Sequence, residues 1–269
     1  MLRRAAWAGQ FYPQHAAALR RELEGFLSGE VAEKIGAPLG CVVPHAGYMY
    51  SGAIAGAVYA SMELPRKFIL LCPNHTGRGE PLSIMSEGEW ETPLGLARID
   101  SGLAGELKKR CRLLSEDFQA HRHEHSLEVQ IPFLQTLEPQ MQFVPIAVGT
   151  AAFDALESLG RAIAETIRGR AEKALVVASS DMNHYESDER TRLKDRQAID
   201  QLLALDPRGL YDTVRREGIS MCGYCPTTAM LTAALRLGAR HAELVRYGTS
   251  ADASGDRARV VGYAGLIVW

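Results

Sequence analysis

The 269-residue sequence lacks an excess of charge of either sign: 30 Lys and Arg stand against 32 Asp and Glu, a formal net charge of −2. It has no Lys/Arg run either, so the electrostatic footprint of a nucleic-acid-binding protein is missing. No apolar run approaches the roughly 18 residues that a membrane-spanning helix requires. The N-terminal stretch has Arg3 and Arg4, but its apolar part stops at Gln10, too short for a secretory leader. These absences lead us to expect a cytoplasmic protein with no nucleic-acid and no membrane partner. Cysteine is sparse and odd in number, five residues at 41, 72, 111, 222 and 225, which excludes a disulfide framework and fits a reducing compartment. Internal repeats, low-complexity tracts and Gly/Pro/Ser-rich linkers are also missing, so a single domain over residues 1–269 is expected.

What is present is an ordinary globular mixture, 46% hydrophobic and 23% charged. Short apolar runs bounded by turn residues predict buried strands at 39–43, 67–72, 143–148, 174–178 and 259–268. Further strands, of antiparallel type, are expected at 82–85 and 243–247. Helical patterns lie between them at 15–27, 51–61, 101–111, 126–137, 151–168, 188–205 and 226–237. This alternation predicts an α/β domain with a mostly parallel central sheet flanked by helices on both faces.

Only eight histidines occur, and three of them come just after predicted strands: His45 after the 39–43 run, His75 after 67–72 and His184 after 174–178. A lone histidine in such a place is ordinarily a hydrogen-bonded loop or core residue. Three on one edge are another matter, because open α/β sheets bind ligands beyond the carboxyl ends of their strands. Pro44-His45-Ala46-Gly47 and Asn74-His75-Thr76-Gly77 each place a glycine near the imidazole, where the backbone turns sharply. Asp181, three residues before His184, suits a ligand, a partner that orients a histidine, or a helix N-cap.

Cys222 and Cys225 form a C-x-x-C that introduces the 226–237 helix, whose N-terminus favours a thiolate. The motif stands late in the chain and no second close pair of ligands accompanies it, which speaks against a thioredoxin-like redox pair and a structural zinc site. Cys222 as a single ligand, with Cys225 packing, is the remaining reading. The tract His121-Arg122-His123-Glu124-His125 is strongly charged, so His121 and His123 are expected on a solvated loop. His125 opens a helix and is expected to contact substrate or support the site.

Six motifs in order carry a family resemblance: Ala8-Gly9-Gln10-Phe11-Tyr12-Pro13, Pro44-His45-Ala46-Gly47-Tyr48, Pro73-Asn74-His75, Glu124-His125-Ser126-Leu127-Glu128, Ser179-Ser180-Asp181 with His184, and Cys222-Gly223. Together they resemble the Memo family, known in microbes as AmmeMemoRadiSam system protein B, over almost the whole chain. The resemblance implies a fold like that of the class III extradiol dioxygenases, non-haem iron enzymes. It implies metal ligands at His45, His75 and Cys222, with His184 and Asp181 in the same pocket in catalytic positions. Asn74, Tyr48 and His125 are expected to bind substrate or support the ligands. The system name further implies an AMMECR-type protein and a radical SAM enzyme as partners.

Two imidazoles and a thiolate suit iron(II), copper or zinc and disfavour magnesium or calcium. Iron(II) leads, given the dioxygenase-like fold that the resemblance implies. The expected function is therefore a metal-dependent redox enzyme, an oxidoreductase acting on an unidentified small molecule. Two alternatives stand beside it: a non-catalytic scaffold that uses the same pocket to bind a metal, a peptide or a partner enzyme, and zinc-assisted hydrolysis.

Overall fold

In the computed structural model, which describes residues 1–29 and 34–269, the apolar runs join into one mixed sheet flanked by helices. Its strands are β1 (Leu2–Arg3), β2 (Gly40–Val43), β3 (Lys67–Pro73), β4 (Leu82–Ile84), β5 (Glu89–Thr92), β6 (Gly95–Ile99), β7 (Ser115–Glu116), β8 (Gln142–Val148), β9 (Ala174–Ser179), β10 (His184–Glu186), β11 (Ala242–Thr249) and β12 (Val260–Val268). The spatial order is β1-β5-β6-β8-β3-β9-β2-β12-β10, with β11 against β12 and β4 between β7 and β8. Its centre, β8-β3-β9-β2, is parallel. β12 then runs antiparallel to β2, β11 and β10. The strands anticipated near 82–85 and 243–247 are present and antiparallel to their neighbours β8 and β12.

The central strands read as unbroken apolar runs because both faces are covered. Side chains alternate between the faces. Phe68, Leu70 and Cys72 enter one core with the helices Ala16–Leu27, Tyr48–Ala60 and Ile131–Leu137, while Ile69 and Leu71 enter the other with Ser101–Arg110, Phe153–Arg168 and Tyr224–Leu237. Cys41, Cys72, Cys111 and Cys225 are buried packing residues, and burial pushes each of these thiols up.

The short strands β1, β5, β6, β7 and β10 and the helices Gln119–Arg122 and Ala251–Ser254 were not anticipated, and two longer helical regions also differ from expectation. The helix expected over 126–137 is two helices, His125–Glu128 and Ile131–Leu137. Pro132 is the physical reason: it has no N–H to give residue 128, and its ring opposes that carbonyl, so the proline starts a new helix instead of continuing the old one. The break leaves Gln130 free to reach the sheet edge. The helix Pro207–Arg216 was not anticipated, although Asp206 caps it and Pro207 occupies its first turn.

Behind β12 lies Asp195, a carboxyl with 0% exposure that accepts hydrogen bonds from Asn183 N–H and the Tyr247 hydroxyl, each at 2.8 Å. Burial pushes this group up to about 7, while those two donors and Arg192 pull the other way. The folded protein therefore binds the proton more tightly than the unfolded chain. Asp195's contribution to stability is complete below about pH 4 and is lost as the pH rises toward 7. Asp195→Asn should flatten this slope and stabilise the protein at pH 8, by on the order of 4 kcal/mol at most. Urea melts of both proteins between pH 5 and 8 check it; parallel pH profiles would refute it.

Candidate metal centre

β3, β9 and β2 are neighbours and run parallel, so their carboxyl ends stand side by side. His75, Asp181 and His45 come directly after those three ends and converge for that reason. Asp181 caps no helix: its Oδ1 accepts the His45 backbone N–H at 2.7 Å, tying two of the loops together. Burial raises the Asp181 carboxyl, and the His45 bond and nearby imidazoles oppose the shift. Cys222 arrives from the other core. Gly223 packs so tightly on the 179–180 backbone that a Cβ there would collide with the Ser180 side chain and the Ser179 carbonyl. This approach sets the Cys222 Sγ 3.2 Å from His45 Nε2, where it also accepts the Asp181 N–H at 3.3 Å. The thiol is not readily ionised as its place before a helix suggested. Burial, with Asp181 beside it, pushes it up.

Hydrogen-bond logic fixes the protonation of His45. The Gln130 amide nitrogen faces the Pro44 carbonyl at 2.9 Å and the Ser179 hydroxyl at 3.0 Å, while its oxygen accepts from Tyr59 at 2.9 Å. The Ser179 hydroxyl spends its one proton on the Ser126 carbonyl at 2.7 Å. It must therefore accept from His45 Nδ1, 2.9 Å away, so the proton sits on Nδ1 and Nε2 presents a lone pair. Burial and the neighbouring His75 push His45 down, keeping the ring neutral.

His75 is oriented by a different group. Its backbone N–H and its Nδ1 bond the two Glu124 oxygens at 2.7 and 2.8 Å, and Ser126 adds its own N–H and hydroxyl to that carboxylate at 3.1 and 2.8 Å. Burial opposes the Glu124 charge, but these donors outweigh it and hold the group down at about 2. A carboxylate that fixes Nδ1–H again turns Nε2 outward, the usual support for a metal-ligating histidine. His125 stacks on His75 with centroids 4.7 Å apart and packs against Phe11 at 4.6 Å. Burial, then His45, brings it down to about 4. One ligand nitrogen from each of His45, His75 and His125 lies within 4.8 Å of the other two, so the group that gathers most compactly is three histidines, with Cys222 joined through His45.

A cavity of about 720 Å³ opens over these side chains and over Asp181 and His184. Phe11, Tyr50, Tyr185 and Tyr263 wall it. Two residues expected to bind substrate or support the ligands do not line the cavity. Tyr48 is core: 3% exposed, it donates to the Val129 carbonyl at 2.7 Å and packs on Tyr12 and Phe133, and Tyr50 lines the cavity in its stead. Asn74 builds the loop: its amide bonds Arg78 O, Thr76 Oγ1 and Gly77 N–H. Gly77 has the expected turn geometry at φ +63, whereas Gly47 at φ −54 needs no glycine. His121 is not on a solvated loop. It is fully buried against Trp90, beneath the Arg3 side chain that reaches its carbonyl at 2.7 Å. His123 is exposed.

The sequence pattern assigned no role to Glu124, Ser179, Gln130 or Ser220. Glu124 offered one signal, a carboxylate beside a candidate histidine at the start of a helix. Ser179 stood in one of the six motifs; Gln130 and Ser220 offered no signal.

The short helix bearing Glu124 and His125 is held by a second buried carboxylate. Glu128, 0% exposed, pairs with Arg3 at 2.7 Å and accepts from Ala6 N–H, Trp7 N–H and the Tyr12 hydroxyl at 3.0, 2.8 and 2.7 Å. Arg3→Met keeps much of the packing on Trp90 but leaves Glu128 without its counter-charge. It should cost about 3–5 kcal/mol, read as a lower denaturation midpoint at unchanged m-value.

Fold and edge together define an α/β protein with a histidine-rich candidate metal centre at the carboxyl ends of its parallel strands. The family described as Memo-like protein matches residues 3–267. A MEMO1 family protein of Methanosarcina mazei is 42% identical over 269 aligned residues, 99% of each chain. One from Methanothermobacter thermautotrophicus is 40% identical over 276, covering 99% of this chain and 100% of its own. The chain belongs to the Memo-like family. The crystal structure of an uncharacterized protein from Escherichia coli K12 covers 85% of this chain and 98% of its own with a TM-score of 0.54 at 12% identity, a likeness of fold.

Proposed function

We propose that the protein holds a redox-active metal ion, iron(II) foremost and copper or zinc as alternatives, through His45, His75 and Cys222, and acts on a small molecule in the cavity above. The observation that carries this reading is the fixed orientation of two imidazoles, each with Nδ1–H tied into the protein and Nε2 left to the cavity as the ligand atom. The donor set fits such an ion. Two ligands with bonds of about 2.0–2.1 Å to nitrogen and 2.3 Å to sulfur stand about 3.1–3.6 Å apart on one metal. His45 Nε2 and Cys222 Sγ, 3.2 Å apart, already have that spacing. When bound, the ion would supply Lewis acidity and electron transfer.

Around it the chain's own groups have separate tasks. Asp181 holds the His45 loop and brings a carboxylate to the cavity. His184 faces the same space from β10. Phe11, Tyr50, Tyr185 and Tyr263 exclude water from the rear of a bound molecule. His125 competes with Cys222 as third ligand, favoured by the compactness of the three-histidine group.

Anaerobic loading with iron(II) and subsequent metal counting test the reading. The unmodified protein should retain about one equivalent, and His45→Ala and His75→Ala should retain almost none. Of Cys222→Ser and His125→Ala, the one that loses metal names the third ligand. Equal metal in all five proteins would overturn the assignment. Ser179→Ala, which removes the acceptor of His45 Nδ1–H, should weaken metal retention about 10–100-fold in competition with a chelator.

A further inference from the structure

His184 is the one imidazole facing the cavity that belongs neither to the three-histidine group nor to the Cys222 contact. Its setting is nonetheless as closely specified as theirs. The His184 backbone N–H donates to the Ser220 hydroxyl at 2.7 Å, and its Nδ1 lies 2.9 Å from the Ser220 carbonyl oxygen. A carbonyl only accepts, so that contact is a hydrogen bond only when Nδ1 carries the proton. In the neutral ring Nε2 is then a lone pair, and the ring lines the cavity. Ser220 thus grips the histidine at two points, with its side chain and with its main chain.

Ser220 lies on a loop, the turn that precedes Cys222, and something must hold that loop still. Asn183 does so. Its Oδ1 accepts both the Ser220 N–H and the Ser220 hydroxyl, each at 3.1 Å, while its Nδ2 donates to Glu186 at 2.8 Å. The Asn183 backbone N–H is fixed in turn on the buried Asp195. The hydroxyl of Ser220 therefore accepts from His184 and donates to Asn183, leaving no freedom in the direction of its proton. Tyr185, next in the chain, has φ +62, a left-handed backbone that few non-glycine residues adopt. Such a conformation persists where the surroundings over-determine it. Here the surroundings are the two bonds from Ser220 on one side and the pairing of β10 with β12 on the other.

We propose that Ser220 and Asn183 are positioning residues that lock His184 into its Nδ1–H tautomer, so that Nε2 accepts a hydrogen bond or a proton from an O–H, N–H or S–H group of the molecule in the cavity. This role rests on the reading of the cavity as a substrate site. It deepens that reading by naming the substrate class: a small molecule that presents an acidic X–H group toward His184. In a transfer, the X–H bond breaks, the new bond forms at Nε2, and the imidazolium produced keeps its Nδ1–H on the Ser220 carbonyl, so the fold need not rearrange.

The test uses the full-length metal-free protein labelled with nitrogen-15 at histidine, and reads tautomers from the two-bond correlations of each ring at pH 8. In the unmodified protein, His184 should show one form with Nδ1 protonated. Ser220→Ala and Asn183→Ala should convert it to a mixture of the two tautomers. Ser220→Thr, which keeps the hydroxyl, should restore the single form. His45 and His75 should keep their Nδ1–H signatures throughout, which shows that the variants remain folded at the site. A single Nδ1–H form that survives both alanine variants, or an Nε2–H form in the unmodified protein, overturns the proposal. A failure of the metal reading leaves the tautomer result intact, because that measurement is made without metal.

Discussion

A carboxylate can be buried in this fold only where enough donors surround it, and two such groups, Glu124 and Glu128, organise the His75 and His125 side of the sheet's carboxyl edge. An isolated charge of this kind would cost several kcal/mol to bury. Glu124 is surrounded by both His75 donors and both Ser126 donors. Glu128 is met by Arg3, two main-chain N–H groups and the Tyr12 hydroxyl. One helix of four residues, His125–Glu128, thereby binds the β3 loop on one side and the N-terminal segment on the other. The break at Pro132 makes the helix short enough for Gln130 to turn toward β2 and β9, so the chain's most local rule, the missing N–H of proline, has a consequence at the site.

Three of the four histidines lining the cavity are held by different chemistries that share one outcome. A carboxylate fixes His75, a hydroxyl with its proton already committed fixes His45, and a peptide carbonyl fixes His184. Each partner can only accept, so each ring carries its proton on Nδ1 and turns Nε2 to the cavity. Convergence of this kind is hard to attribute to packing, since packing is indifferent to which nitrogen bears the proton. It is what a site needs when lone pairs must be ready before a metal or a ligand arrives, because no reorganisation then opposes binding.

The sheet and the location of the site were legible because both derive from periodicity. Buried strands announce themselves as apolar runs, and the loops that leave parallel neighbours must meet at one edge. His45, His75 and His184 were singled out for that reason, and all three line the cavity. Tyr48 was misplaced because it stands only two residues from Tyr50 on one helix, and a difference of two residues turns a side chain from the cavity to the core. His121 was misread because local charge suggested solvent, whereas the Arg3 that covers it comes from 118 residues away. Gln130 and Ser220 left no pattern at all, and Ser179 stood in a motif without a role, since a hydroxyl or an amide acquires its meaning only from the partner that the tertiary fold brings to it.

That distinction bears on what separates binding from chemistry in a fold of this type. The residues that sequence makes visible are those that touch a ligand, and many proteins of unlike function share such residues. The residues it hides are those that set protonation and direction, and on these the choice between a reactive and an inert site depends. In this chain the hidden group is connected: Tyr59, Gln130, Ser179 and Ser126 run beneath His45 as an unbroken series of hydrogen bonds, and Asp195, Asn183 and Ser220 run beneath His184 as another. The two series reach the cavity from the two opposite cores, one through the His125–Glu128 region and one through the loop before Cys222. Support from both sides keeps the cavity's polar groups in place even though the loops that carry them are short and lie at the surface of the sheet. Such control over single protons serves a metal or ligand that must meet ready lone pairs, whatever follows its binding.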